Sequence, residues 1–143
     1  AHLDSRYKRW NVQLQLARYA YSPKNLAGVS DDVVRLGAFA ASYDVAAEGT
    51  VGVANIAYNL PVTIPWLDSI LLYNDYSFVL KDNDAYDDSH LNTTGAAIGA
   101  GPLFLYLDLI QSRNMVFLGN GSLAGGGDTS WHQRLNLNLG YYW

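Results

Sequence analysis

The sequence predicts an all-β fold, an antiparallel β-barrel that crosses a membrane, and three observations point there. First, the C-terminal stretch alternates. Trp131, Gln133, Leu135, Leu137, Leu139, Tyr141 and Trp143 form a mostly apolar side, and His132, Arg134, Asn136, Asn138, Gly140 and Tyr142 a mostly polar one. A period of two places these sets on opposite faces of a strand. Second, aromatic residues flank the three leucines, as they do where Trp and Tyr sit at headgroup level. Third, charged residues make up only 15% of the 143 residues, Glu occurs once, and eleven Tyr and four Trp are present. Such a shortage of Glu and Lys disfavours exposed helices.

Seven strands follow in order. Trp10, Val12, Leu14 and Leu16 alternate with Asn11, Gln13 and Gln15. Val34, Leu36, Ala38 and Ala40 oppose Arg35, Gly37, Phe39 and Tyr43, and Ala54, Ile56, Tyr58 and Leu60 oppose Asn55, Ala57 and Asn59. Over 68–80, Ile70, Leu72, Tyr76 and Phe78 share a face interrupted by Asn74, and the opposite face carries Ser69, Tyr73, Asp75 and Ser77. Residues 91–100 are rich in Gly, Ala and Thr. Leu103, Leu105, Leu107 and Leu109 alternate with Phe104, Tyr106, Asp108 and Ile110, and the C-terminal strand is the seventh. Turns are expected at Ala47-Glu48-Gly49, between Pro61 and Pro65, and at Gly101-Pro102, with longer loops at 22–32, 82–89 and 114–130.

The polar faces carry amides, tyrosines and a few isolated charges rather than the Lys and Glu that bulk water favours, which suits a confined wet interior. A single domain spanning 1–143 accommodates all of this. Bacterial barrels have an even strand number, so seven implies a missed strand, for which 115–124 is the best candidate, or strands upstream of Ala1; the second reading is adopted. No signal segment is visible at positions 1–10. A complete eight-stranded barrel, acting as anchor, adhesin or lipid-modifying enzyme, is the alternative. It would be filled by side chains, whereas an aqueous channel needs about twice as many strands.

Three segments resemble a known family. The run from Leu72 through Tyr73-Asn74-Asp75-Tyr76-Ser77 to Phe78, with Lys81-Asp82 and Asp88-Ser89, is similar to the C-terminal third of Gram-negative outer-membrane porins of the phosphate-selective O/P-like group. So are the run from Gly101-Pro102 to Asp108 with Ser112-Arg113-Asn114, and the closing Arg134-Leu135-Asn136-Leu137-Asn138-Leu139-Gly140-Tyr141-Tyr142-Trp143. The terminal Trp143 stands where the family usually has Phe. The resemblance implies a homotrimeric barrel of about sixteen or eighteen strands in the bacterial outer membrane. This chain would supply its C-terminal strands. It also implies passive diffusion of small polar solutes or ions, and contact with outer-membrane lipid and lipopolysaccharide. The Lys- and Arg-rich ladder of the phosphate-specific members is absent, so phosphate selectivity is not carried over.

Candidate sites follow from facing. Arg35, Asp75, Asp108, Arg134, Asn136 and Asn138 are expected to line the pore, where charges set ion preference. Arg18 and Arg113 are further lumen candidates, although Arg18 falls on the apolar side and is better placed to reach a headgroup. The bland reading is that these arginines pair with Asp75 and Asp108 to tie strands together. Trp131, Tyr141 and Trp143 are the interface aromatics. Asp82, Asp84 and Asp88 offer oxygen ligands suited to calcium, without the Gly and Glu of a helix-loop-helix site; an acidic loop explains them as well. Otherwise no metal is expected, because the three histidines lack ligand spacing. Ser89 and His90 are adjacent and would face opposite ways on a strand, so no hydrolase dyad, no enzyme and no cofactor are expected. The net charge of -4 gives no footprint for nucleic acid.

Overall fold

Runs of β-branched, aromatic and small residues keep the backbone extended through most of the chain. The computed structural model describes residues 1–38 and 41–143 and contains nine strands and, among those residues, no helix. They are β1 (His2–Tyr7), β2 (Trp10–Ala20), β3 (Val33–Ala38), β4 (Ala41–Ala46), β5 (Glu48–Leu60), β6 (Ser69–Lys81), β7 (Ser89–Ala100), β8 (Leu103–Arg113) and β9 (Trp131–Tyr141). Seven form one antiparallel sheet in the order β1-β2-β5-β6-β7-β8-β9, while β3 and β4 form a separate hairpin. The large sheet is open: β1 and β9 each pair on one side only.

Antiparallel succession sends alternate connections to opposite ends. One end carries residues 8–9, 61–68 and 101–102; the other carries 21–47, 82–88 and 114–130. The two tightest turns use left-handed backbone, with φ of 54° at Lys8 and 56° at Gly101. A side chain at Gly101 would meet nothing within 4 Å, so dihedral preference alone selects glycine there. The Asp68 carboxylate accepts a 2.6 Å hydrogen bond from the Gly101 amide, which joins two connections at this end.

Several expectations need correction. The segment 34–43 is not a strand of the large sheet. It belongs to the β3–β4 hairpin, whose internal register sets Arg35 opposite Asp44; Phe39 and Ala40 lie outside the described residues. Residues 115–124 form a loop, not a strand. The missed strand is β1, which pairs with β2 from His2↔Gln15 to Tyr7↔Trp10. Glu48 and Gly49 belong to β5 rather than a turn. With β1 restored and the hairpin removed, the sheet still has seven strands, and the first connection becomes a two-residue turn.

Side-chain burial is inverted relative to a water-soluble domain. Among the described residues, the buried apolar side chains are all alanines, at positions 46, 47, 57, 97 and 124, and the buried polar ones are Lys81, Ser89, Asp108, Ser112 and Asn114. Large apolar residues stand exposed, including Leu135 (77%), Leu137 (66%) and Leu139 (63%). Among the described residues, strands pack only against their hydrogen-bonded neighbours, so no second layer of strands covers the sheet.

Candidate functional site

The register divides the sheet into two chemically distinct faces. Following paired residues, Trp10, Tyr58, Leu72, Ala96, Leu107 and Leu137 lie on one level of the apolar face. Leu14, Ala54, Tyr76, Asn92, Gln111 and Gln133 lie on another, nearer the long loops. In β2 the apolar run is Trp10 to Leu16, bounded by Arg18. In β9 it is Leu135 to Tyr141, bounded by Gln133. Both limits therefore climb by four residues over the five strand-to-strand steps from β9 to β2. At about 3.4 Å per residue and 4.8 Å per step, the band slants about 30° to the hydrogen-bond rows.

Polar side chains that interrupt this face satisfy one another. The Asn74 amide donates to Asn92 Oδ1 at 2.9 Å and Thr94 Oγ1 at 2.8 Å, and the Asn92 amide donates to Gln111 at 3.3 Å. His90 Nδ1 pairs with Tyr76 Oη at 2.8 Å. Trp131 and Tyr141 lie on the same face at opposite ends of β9, and Trp143 follows, its ring 6.3 Å from that of Tyr141.

The other face carries most of the expected lining residues. Asp75 on β6, Asp108 on β8, and Arg134, Asn136 and Asn138 on β9 share it. Asp75 accepts a hydrogen bond from Asn55. Asp108 accepts from the Tyr73 hydroxyl and, at 2.9 Å, from the Asn136 amide. Gly95, opposite Asp108 in the register, leaves room for this cluster, because an added Cβ would come within 2.7 Å of the Tyr73 ring. Neutral donors thus bind both carboxylates, and among the described residues no arginine pairs with either, which the alternative strand-tying reading required. Arg134 is exposed and forms no ion pair among the described residues.

The remaining arginines are elsewhere. Arg35 lies off the large sheet, with its Nε 2.8 Å and Nη2 2.9 Å from the Asp44 carboxylate. That bidentate pair holds the Asp44 carboxyl below its usual range. Arg18 pairs with Asp82 and approaches Glu48 at 3.8 Å rather than reaching outward alone. Arg113 takes the apolar-face parity and donates to Thr129 O at 3.0 Å. Asp82 turns to Arg18 and Asp88 accepts from the Lys81 amide at 3.0 Å; no three carboxylates or histidines among the described residues converge as a metal site. Ser89 and His90 point to opposite faces, with Ser89 Oγ donating to Ser122 O.

Sequence reasoning missed the most densely bonded region, at the long-loop end of the polar face. Lys81 Nζ donates to the carbonyls of Asp87 (2.5 Å), Ser122 (2.8 Å) and Ala124 (2.9 Å). Asn114, in left-handed backbone at φ 51°, donates to Asp87 O at 2.6 Å and accepts from Ser122 N at 2.8 Å. The only sequence signal was Lys81 at polar parity just before the acidic loop. Comparison with protein-family models, curated proteins and solved structures finds no match to this chain.

Proposed function

We propose that this chain forms part of the wall of a bacterial outer-membrane porin, a water-filled channel for passive diffusion of small polar solutes or ions. The observation that carries this reading is the slanted apolar band. A sheet with no covering layer and exposed leucines is not stable against water, because roughly 25 cal/mol per Å² of apolar surface remains unrealised. Hydrocarbon supplies the missing medium. A slant of about 30° is what a strand tilted in a bilayer produces, close to the roughly 35–45° of membrane barrels. The hydrogen-bonded amides of Asn74, Asn92 and Gln111 fit the same medium, in which unpaired polar groups are costly.

On this reading the polar face lines the lumen, the 21–47, 82–88 and 114–130 connections lie outside the cell, and the short turns face the periplasm. The free edges of β1 and β9 are where further strands close the wall, in a barrel of the size the porin resemblance implies. Lipid and lipopolysaccharide cover the apolar face, a homotrimer is the assembly, and no catalytic step or cofactor is involved.

The test is conductance. Protein extracted in detergent and added to a planar bilayer is expected to give stable, stepwise openings. Protein that inserts into the bilayer yet stays electrically silent refutes the channel and favours a side-chain-filled small barrel. Full solubility without detergent refutes the membrane location.

A further inference from the structure

The loop 114–130 does not hang free above the sheet. Four side chains of polar-face parity, one from each of β6, β7, β8 and β9, bind it. Lys81 Nζ donates to Ser122 O and Ala124 O; Ser89 Oγ donates to Ser122 O at 3.2 Å; and Ser112 Oγ donates to Leu118 O at 2.8 Å. His132 Nε2 meets Asp128 Oδ2 at 2.9 Å. The loop therefore crosses the polar face over four adjacent strands. Beyond β6 it continues into the hairpin: Ala46 N donates to Leu123 O at 2.9 Å, and Leu123 forms a parallel bridge with Val45. The Tyr43 and Phe117 rings meet edge to face at 5.7 Å.

This is also the driest part of the molecule. Ser89 and Ser112 are 0% exposed, Ala46 1%, and Ala124 and Asn114 3%. Lys81 is itself buried, a costly position for an ammonium. All three of its donors are engaged by carbonyls, one from 82–88 and two from 114–130, which is the full capacity of the group. Removing it would leave Ala124 O without that donor, and would leave Asp87 O and Ser122 O held only by Asn114 Nδ2 and Ser89 Oγ.

We propose that the loop 114–130 and the β3–β4 hairpin form one fixed lid across the long-loop end of the polar face, that Lys81 is the positioning residue that holds it, and that the lid limits the size of solute that passes. The last clause rests on the channel reading; the docking of the lid does not. The lid stays closed while solutes pass beside it, because opening it would expose the buried Lys81 and break its three bonds at once.

The native chain has no cysteine, so Val45→Cys with Leu123→Cys introduces a single pair, at bridged positions suited to a disulfide. Mild oxidation is expected to cross-link the pair efficiently, seen as a gel shift, without changing single-channel conductance. Failure to cross-link overturns the docking. A fall in conductance on cross-linking overturns the fixed lid, since the loop must then move to conduct. In a second arm, Lys81→Met is expected to raise the largest polyethylene glycol that enters the channel and to speed proteolysis within 114–130, with the heat-modifiable gel band retained. Faster proteolysis with an unchanged size limit overturns the restriction. Resistance to protease equal to the parent overturns the role of Lys81. If Lys81→Met does not fold, the cysteine pair decides the lid alone. A parent protein that cross-links but never conducts refutes the channel reading and leaves the docking intact.

Discussion

Asn136 donates a hydrogen bond to Asp108 at 2.9 Å across the β8–β9 pairing, and the two stand directly opposite in the register. With the Tyr73 hydroxyl on the same carboxylate, the buried Asp108 side chain is held by two neutral donors, one from the adjacent β9 and one from β6, two strands away. Asp108→Ala strands both donors, and leaving buried polar groups unpaired costs about 1–3 kcal/mol. The urea midpoint of protein folded in lipid vesicles should fall accordingly, while Asp108→Asn, which keeps an acceptor for Tyr73, should lose less. A neutral Asp108→Ala would show that water, and not the protein, satisfies these groups.

How much of this was legible depended on distance in the chain. The faces of β2, β6, β8 and β9 could be read because a sheet between two media forces period-two alternation. β1 escaped because its six residues include Asp4 and Arg6, which look like a charged terminus until β2 pairs with them. The segment 34–43 alternates only weakly, and local pattern does not say which sheet a strand joins. The partners of Asp108 lie 35 and 28 residues away at Tyr73 and Asn136. The lid was invisible for a different reason. It is bound through the carbonyls of Leu118, Ser122 and Ala124, and backbone acceptors carry no sequence signature.

The lid should loosen in acid at its β9 end. The Asp128 carboxyl lies below its usual range, chiefly because the Ser130 amide donates to it at 2.8 Å, with the Ser130 hydroxyl and His132 adding to the effect. A lowered folded-state value means the contribution is present above the ordinary carboxylate range and lost as pH falls through the folded one. Protease resistance near Thr129–Ser130 is expected to hold through neutral and mildly acidic pH. It should decline only below about pH 4. Asp128→Asn should remove that acid step. A transition between pH 6 and 7 instead would assign the sensitivity to another group.

Arg134 is the exposed cation on the polar face of β9, and Asp108 on the neighbouring strand and Asp75 three strands away already have neutral partners. In the proposed channel its charge would therefore be free to act on passing ions. Arg134→Ala should move the reversal potential in a salt gradient toward cation preference, and Arg134→Lys should restore it. A reversal potential that stays put in Arg134→Ala would place this residue outside the path of the current.

Neighbouring positions on β9 give the sharpest test of the two faces. Leu137 is 66% exposed on the apolar face, and Asn138 points the other way, opposite Tyr106. If water bathed both, arginine at either position would change stability by no more than about 0.5 kcal/mol, as surface substitutions do. With hydrocarbon against Leu137, Leu137→Arg should cost about 2–4 kcal/mol near the middle of the band, while Asn138→Arg stays near zero. Unfolding in vesicles of defined thickness, followed by Trp fluorescence, measures both. Equal and small effects at the two positions would mean that lipid does not touch this sheet, and the channel would fall with it.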